Sequence, residues 1–304
     1  MSAAEVRARL RGPMAPLVTP FAPSLDIDWA AFDAHVTRLL SHGVEVLVPA
    51  DLVGEAWALT VEEKARLFAR TVELSASRAA VVAKISAPAL PAAMELARAA
   101  REAGVDAIKV PFPTESADGA SLQTYVEAAI ADSGLPFLVE TSAADVPVTV
   151  LDRLAARPDF VGIEETALDL DRFDWMVQHY GARVPVIAGS EDVLGFTLLL
   201  GASGFMTATP NFAPGFMREL WEAAAAGQAR ATLDLCRRLR RYRRLFQHDL
   251  RAGRPMFVPY TKAALELLGH PVGHPRPPLR SLTDSERDVL RATLREAFGL
   301  EPAR

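Results

Sequence analysis

The chain has 304 residues, 50% of them hydrophobic, and 33 basic against 38 acidic side chains leave a formal charge of −5. That composition suits a globular chain, either one barrel-sized domain or two ordinary ones, and it lacks the dominant basic face that binding nucleic acid requires. A single cysteine, Cys236, excludes an internal disulfide framework and a multi-cysteine zinc site. No run of about 20 apolar residues suits a membrane span, and no basic segment followed by an apolar stretch opens the chain. The expectation is a cytoplasmic protein with neither a nucleic-acid nor a membrane partner.

Short apolar runs alternate with longer amphipathic segments along the chain. The runs predict strands at Met14–Thr19, Val44–Ala50, Ala79–Ile85, Ala107–Val110, Pro136–Thr141, Phe160–Glu164, Val184–Ala188 and Gly204–Thr207. Helical spacing predicts helices at Trp29–Leu40, Val61–Ser75, Leu90–Ala103, Leu122–Asp132, Val148–Ala156, Asp171–Tyr180, Asp192–Leu200 and Pro214–Ala226. Glycines 43, 104, 134, 181 and 204 fall where a helix ends and the next strand begins. After Gly227 only helices follow, at Ala229–Phe246, Tyr260–Leu268 and Ser285–Ala297, with a Pro-rich spacer, Pro271–Pro278, before the last.

Eight βα units predict a closed parallel (β/α)8 TIM barrel over residues 1–227, with a helical C-terminal extension over 228–304 packed on it. An open doubly wound sheet is the alternative. It loses support because neither G-x-G-x-x-G after the first strand nor G-x-x-x-x-G-K-[ST] is present.

In such a barrel the chemistry sits at the carboxyl ends of the strands. Strict alternation turns Ala107 and Lys109 inward on the fourth strand and sends Ile108 and Val110 outward. On the sixth it turns Phe160, Gly162 and Glu164 inward and Val161 and Ile163 outward. Leu138 and Glu140 share a face of the fifth strand, Lys84 lies near the end of the third, Asp51 follows the second, and Ser190 and Glu191 follow the seventh. Two of only four lysines, against 29 arginines, therefore meet two glutamates in one small region. Unpaired buried charge costs several kcal/mol, so these groups are expected to pair. A lysine beside another cation would have a lowered pKa suited to imine chemistry, whereas one clamped between carboxylates would be a poor nucleophile. The sequence leaves both readings open.

Other chemistries find little support. The six histidines, 35, 42, 179, 248, 270 and 274, fall on helices, at the opposite rim or beside the Pro-rich spacer, which argues against a histidine zinc site. No G-x-S-x-G elbow appears. Neither a cofactor nor a resident metal is expected.

The stretches Ala15-Pro-Leu-Val-Thr-Pro-Phe21, Gly54-Glu55, Leu59-Thr-Val-Glu-Glu63, Ala103-Gly-Val-Asp106 with Pro113, Gly162-Ile-Glu-Glu-Thr166, Ala188-Gly-Ser190, Gly201-Ala-Ser-Gly204, Pro210-Asn-Phe-Ala-Pro214 and Lys262-Ala-Ala-Leu-Glu-Leu-Leu-Gly269 form a distinctive order. In that order the chain resembles the dihydrodipicolinate synthase / N-acetylneuraminate lyase family of (β/α)8 aldolases over nearly its whole length. The resemblance implies a homo-oligomer, a tetramer or dimer, and an imine between a sixth-strand lysine and a 2-oxo acid such as pyruvate. It also implies a proton-relaying tyrosine on the fifth strand and a hydroxyl pair that binds the carboxylate. At the corresponding positions this chain has Glu164 for the lysine, Glu140 for the tyrosine and Leu52-Val53 for the hydroxyl pair. Ser142-Ala-Ala-Asp145 replaces the arginine-bearing loop after the fifth strand, and Thr114-Glu115 replaces an aromatic pair after the fourth. A glutamate has no amine and cannot form the imine.

Three readings follow. In the first, the chain is an atypical lyase acting on a small oxo-acid or related carboxylate. Glu164, Glu140, Lys109 and Lys84 are its catalytic candidates, and Asp51, Thr19, Thr141, Gly189, Ser190 and Glu191 its substrate-binding candidates; an imine relocated to Lys84 or Lys109 is a variant. The second is a catalytically silent barrel that binds a small ligand or serves as an assembly partner. The third is metal-assisted chemistry with Glu140, Glu164 and Asp51 or Glu191 as oxygen ligands to magnesium or manganese, against which the neighbouring lysines compete. Plainer readings stand beside these: Glu164–Lys109 as a buried ion pair, Asp51 as a turn cap, Gly54-Glu55 as structural, Cys236 as packing, and Arg237 to Arg244 as a solvated or subunit-contacting helix surface.

Overall fold

The computed structural model describes residues 1–85, 87, 89–112, 119–141 and 146–303. Ser86, Pro113, Thr114, Glu115 and the segment 142–145 lie outside them. In chain order the elements are α1 (Ala3–Arg9), β1 (Gly12–Pro16), α2 (Trp29–Ser41), β2 (Val46–Val48), α3 (Val61–Ser75), β3 (Ala80–Lys84), α4 (Leu90–Ala103), β4 (Ala107–Pro111) and α5 (Gly119–Ser133). They continue with β5 (Phe137–Thr141), α6 (Val148–Ala155), β6 (Phe160–Glu165), α7 (Leu170–Tyr180), β7 (Val186–Ala188), α8 (Leu194–Leu199), β8 (Gly204–Met206) and α9 (Pro214–Ala225). The helices α10 (Ala229–Arg244), α11 (Gln247–Arg251), α12 (Phe257–Leu267) and α13 (Asp284–Thr293) follow, the last running into a π-helical turn, Leu294–Phe298.

Each strand pairs in parallel with the next, and β1 closes the ring against β8. Parallel neighbours need crossovers, and the amphipathic helices provide them while covering the outer face. Local sequence sets the helix ends. Thr60 and Glu63 form a reciprocal capping box on α3, Thr283 and Glu286 do the same on α13, and Gly104 takes the left-handed conformation that ends α4.

Two apolar layers separate cleanly. An inner one fills the barrel with Met14, Val46, Val82, Leu138, Ile187 and Met206, and an outer one packs Ile108, Val110, Val139 and Ile163 against the helices. Strict alternation fails at one place. Phe160 belongs to the outer layer and Val161 to the inner one, the reverse of the expectation, because the β5–β6 register slips at this point so that Phe137 pairs with Phe160 but Leu138 with Gly162. The extra residue is a bulge that resets the phase. From Gly162 onward the expected facing holds.

The sequence reading also missed α1. It closes the amino-terminal end of the barrel, placing Val6 in the inner layer, with Leu10 just beyond the helix. Arg7 Nη2 donates to the carbonyls of Pro158 and Phe160 at 2.8 and 2.7 Å.

The C-terminal segment is tied to the β2–α3 loop by charge. Lys262 Nζ lies 2.6 Å from Glu55 Oε1, and both are almost fully buried. Arg276 donates its backbone N–H to Glu55 Oε2 at 2.8 Å and its guanidinium to Glu63. Lys262 and Arg276 each lie 4.2 Å from the centre of the Phe21 ring. Burial pushes the Glu55 carboxyl up, and it pushes Lys262 down to about 8, with Glu55 opposing. Gly54-Glu55 is thus part of a fastener between barrel and extension.

Candidate active site

The strand ends open into a cavity of about 470 Å³. At its floor, five ionisable side chains from four strands and a loop meet. Lys109 on β4 places Nζ 2.6 Å from Asp51 Oδ2, 2.6 Å from Glu164 Oε2 and 3.0 Å from Glu140 Oε2. Lys84 on β3 lies 2.8 Å from both Asp51 Oδ1 and Glu140 Oε2. The registers Lys84–Lys109 and Glu140–Glu164 across neighbouring strands bring these groups to one level.

The cluster holds two ammonium groups and three carboxylates. Burial works against every charge in it, and pairing decides which survive. Asp51 and Glu140 are held below the usual carboxylate range because Lys109 and Lys84 outweigh burial. Both lysines are pushed above the usual range, since Asp51 and Glu140 outweigh burial in turn. Glu164 is the exception. Burial raises it to about 7, Lys109 opposes, and the carboxylates of Glu140 and Asp51 add to the rise. One proton near neutrality therefore belongs to Glu164, and with it bound the cluster is electrically balanced.

Gly189 makes room for that glutamate. A Cβ at position 189 would fall 2.9 Å from Glu164 Oε1 and 2.4 Å from Thr166 Cγ2, so a larger residue would displace one of them. The backbone after β2 is shaped in a similar way. Ala50 and Glu55, both with positive φ, bracket the turn that carries Asp51, Leu52 and Val53 into the cavity wall. The Asp51 carboxylate also accepts from Leu52 N–H, so it caps the turn as well as pairing with the lysines.

The remaining candidates divide. Gly189, Ser190 and Glu191 line the cavity, and Glu191 Oε1 accepts from Thr209 N–H at 3.1 Å. Thr19 and Thr141 do not line it. Thr19 Oγ1 donates to the Gly54 carbonyl at 2.7 Å. Thr141 shares the outward face of Phe137 and Val139 and donates to Glu165 Oε2 at 2.8 Å. Glu165, which the sequence reading did not single out, is fully buried there and pairs with Arg172 Nε at 2.8 Å.

Arg243 corrects the reading of the arginine run as surface. It is 11% exposed, lines the cavity, and pairs with Asp192 at 3.0 Å and Glu191 at 3.7 Å. A helical period applied to Arg237–Arg244 would have separated the half-buried Arg238 and Arg243 from the four exposed arginines; Arg238 Nε donates to the Ala297 carbonyl at 2.8 Å. Arg251 also lines the cavity and makes no ion pair among the described residues. Thr207 Oγ1, buried on the same wall, has no hydrogen-bond partner among them.

A closed parallel barrel whose buried ionisable groups gather at the carboxyl ends of its strands defines the class, a (β/α)8 barrel with a strand-end site. The chain matches the sequence profile of the Dihydrodipicolinate synthetase family over residues 9–297, and it belongs to that family. The 4-hydroxy-tetrahydrodipicolinate synthase of Phenylobacterium zucineum is 30% identical over 294 residues, covering 94% of this chain and 97% of that one. The solved structure of dihydrodipicolinate synthase from Oceanobacillus iheyensis superposes with a TM-score of 0.89 at 28% identity, covering 96% and 98% of the two chains. The N-acetylneuraminate lyase of Proteus mirabilis, 23% identical and covering 95% of this chain and 98% of that one, shares the fold at a TM-score of 0.85.

Among the described residues no helix is long and apolar enough to cross a membrane.

Proposed function

We propose that the protein is a lyase-type enzyme that acts on a small 2-oxo acid or related carboxylate by proton transfer at Glu164, without an imine. The observation that carries this reading is the 2.6 Å contact between Lys109 Nζ and a glutamate whose carboxyl is held near pH 7. A group with such a pKa is suited to both taking and returning a proton at neutral pH. In this reading the Glu164 carboxylate removes a proton from the carbon beside the substrate carbonyl. The C–H pair forms the C=C bond, the carbonyl π pair moves to oxygen, and the Lys109 ammonium stabilises the enolate. Arg251 and Ser190 on the cavity wall receive the substrate carboxylate. Membership of a family whose relatives include synthases and a lyase supports the reaction class, and on the same ground we propose a homo-oligomer, a tetramer or dimer.

The pairing of both lysines argues against a relocated imine, because a protonated ammonium held by two carboxylates, as at Lys84, or three, as at Lys109, is a poor nucleophile. The metal reading is weakened by position, since Lys109 Nζ sits where Asp51, Glu140 and Glu164 converge and supplies the positive charge a divalent ion would bring. The silent barrel keeps one observation in its favour, the mutual satisfaction of the five charges. Incubation with pyruvate and borohydride, followed by peptide mass analysis, separates these cases. No adduct is expected at residue 84 or 109, and an adduct on either would overturn the imine-free mechanism. In a thermal-shift screen, a 2-oxo acid is expected to raise the melting temperature, whereas indifference to every small carboxylate would favour the silent barrel.

A further inference from the structure

A second cavity, of about 520 Å³, lies outside the barrel between α2, from Ala31 to Arg38, the loop after β1 and residues 269–273 beyond α12. Its walls are mostly apolar, with Phe21, Pro23, Ala34, Pro271 and Val272 prominent, and Arg38 and His270 reach into the same lining. Among the described residues Arg38 makes no ion pair. It donates to the Asn211 carbonyl through Nη2, while its buried Nε has no acceptor.

The titratable groups that feel the Arg38 charge are histidines, which it and burial together keep neutral. His35, His42 and His270 are each pushed down, first by burial and then by Arg38, and Arg218 adds to the effect at His42. Burial lowers Arg38 itself to about 10. Asp28, a carboxylate in the lining, accepts from Ala31 N–H at 3.0 Å as the cap of α2. His35, 3% exposed, is fixed as a donor to Asn211 Oδ1 at 2.9 Å, because that oxygen also accepts from Val18 N–H and Asn211 Nδ2 donates to Pro16 and Ala208. Among the described residues no side chain of the lining forms an ion pair with Arg38; the Asp28 carboxylate there is engaged as the cap of α2.

We propose that this cavity binds a small monoanion with an apolar body, a carboxylate on an aromatic or branched group, with the carboxylate on Arg38 and the body against Phe21 and Pro271. A mostly apolar enclosure of this size with one cationic anchor is the usual form of a small-ligand site. Guanidinium and carboxylate match in geometry as well as charge. Inorganic phosphate is a poor fit, since polar oxygens on all its sides would face apolar walls.

Benzoate is the probe, read by thermal shift on the full chain. Well above its Kd, it is expected to raise the melting temperature by roughly 2–4 °C. The rise should persist in Glu164→Gln, which alters the barrel mouth, and vanish in Arg38→Met and Ala34→Trp. Ala34→Trp fills the cavity from an exposed helix position while leaving the Arg38–Asn211 bond in place, so it decides the matter even if Arg38→Met fails to fold. Absence of a shift in the wild type, a shift that survives Ala34→Trp, loss in Glu164→Gln, or an equal shift with inorganic phosphate would each overturn the assignment.

Discussion

Lys109 and Glu164 stand on β4 and β6, two strands apart, yet their side chains meet at 2.6 Å across the barrel mouth and both are almost completely buried. Removing Lys109 strands the carboxylates around it, whereas neutralising Glu164 leaves Lys109 paired with Asp51 and Glu140. Lys109→Met leaves a cluster of three carboxylates with one ammonium, and it should cost about 3–5 kcal/mol in urea denaturation. Glu164→Gln should cost more than Glu222→Gln at an exposed site. The double variant should show coupling of at least about 1 kcal/mol, and strict additivity would mean the pair contributes nothing.

The proton on Glu164 gives stability a definite pH signature. Its folded pKa, about 7, lies above its ordinary value of 4.5, so the folded state binds more protons between those limits. The contribution of this group is therefore full below about pH 4.5 and lost as pH rises through 7. Asp51 and Glu140, both depressed, act in the opposite sense, and their contribution is lost as pH falls below the ordinary carboxylate range. Glu164→Gln mimics the protonated form at every pH. Relative to wild type it should be more favourable at pH 8 than at pH 5, by on the order of 2–3 kcal/mol. An unchanged difference between the two pH values in urea melts would show that Glu164 does not titrate in this window.

Gly189→Ala should push Glu164 or Thr166 out of place and destabilise the fold by about 1–3 kcal/mol, because the added methyl meets both within van der Waals distance. Gly189 does not have a positive φ, so thermal melts of this variant beside Gly215→Ala, where φ is likewise not positive and an added Cβ meets nothing within 4 Å, isolate the contact. Equal melting temperatures for the two variants would show that the contact at Gly189 contributes nothing.

The Glu55–Lys262 pair predicts a different asymmetry. Lys262→Met leaves Glu55 fully buried without its ammonium partner and should cost about 3–5 kcal/mol, while adding Glu55→Gln should recover part of that loss. Melts of the two single variants and the double variant check this. Failure of the second change to recover any stability would mean that Lys262 acts through its stacking on Phe21.

Much of this site was legible from period alone. Lys109, Glu140 and Lys84 face inward because apolar neighbours on their strands leave no other face for them. Glu164 also faces inward, but the parity at Phe160 and Val161 failed because a bulge leaves no mark in a run of apolar residues. Asp51 as a partner of both lysines was not legible, since a loop residue has no periodicity and its reach depends on the strained turn between Ala50 and Glu55. Arg243 was hidden in a run of arginines, where charge counting masks the helical face. The helix α1 was missed because seven residues are too few for a clear amphipathic pattern, although Ser2 and Glu5 form a capping box.

The central claim is that Glu164 exchanges a proton with the carbon beside a substrate carbonyl. Proton NMR in D2O of 2-oxo acids incubated with the protein reads this step without requiring the full reaction. Loss of the C3 proton signal is expected with the wild type, rising through pH 7 as Glu164 ionises, and at least about 100-fold slower with Glu164→Gln. Exchange at an undiminished rate in Glu164→Gln, or none with any 2-oxo acid that binds, would contradict it.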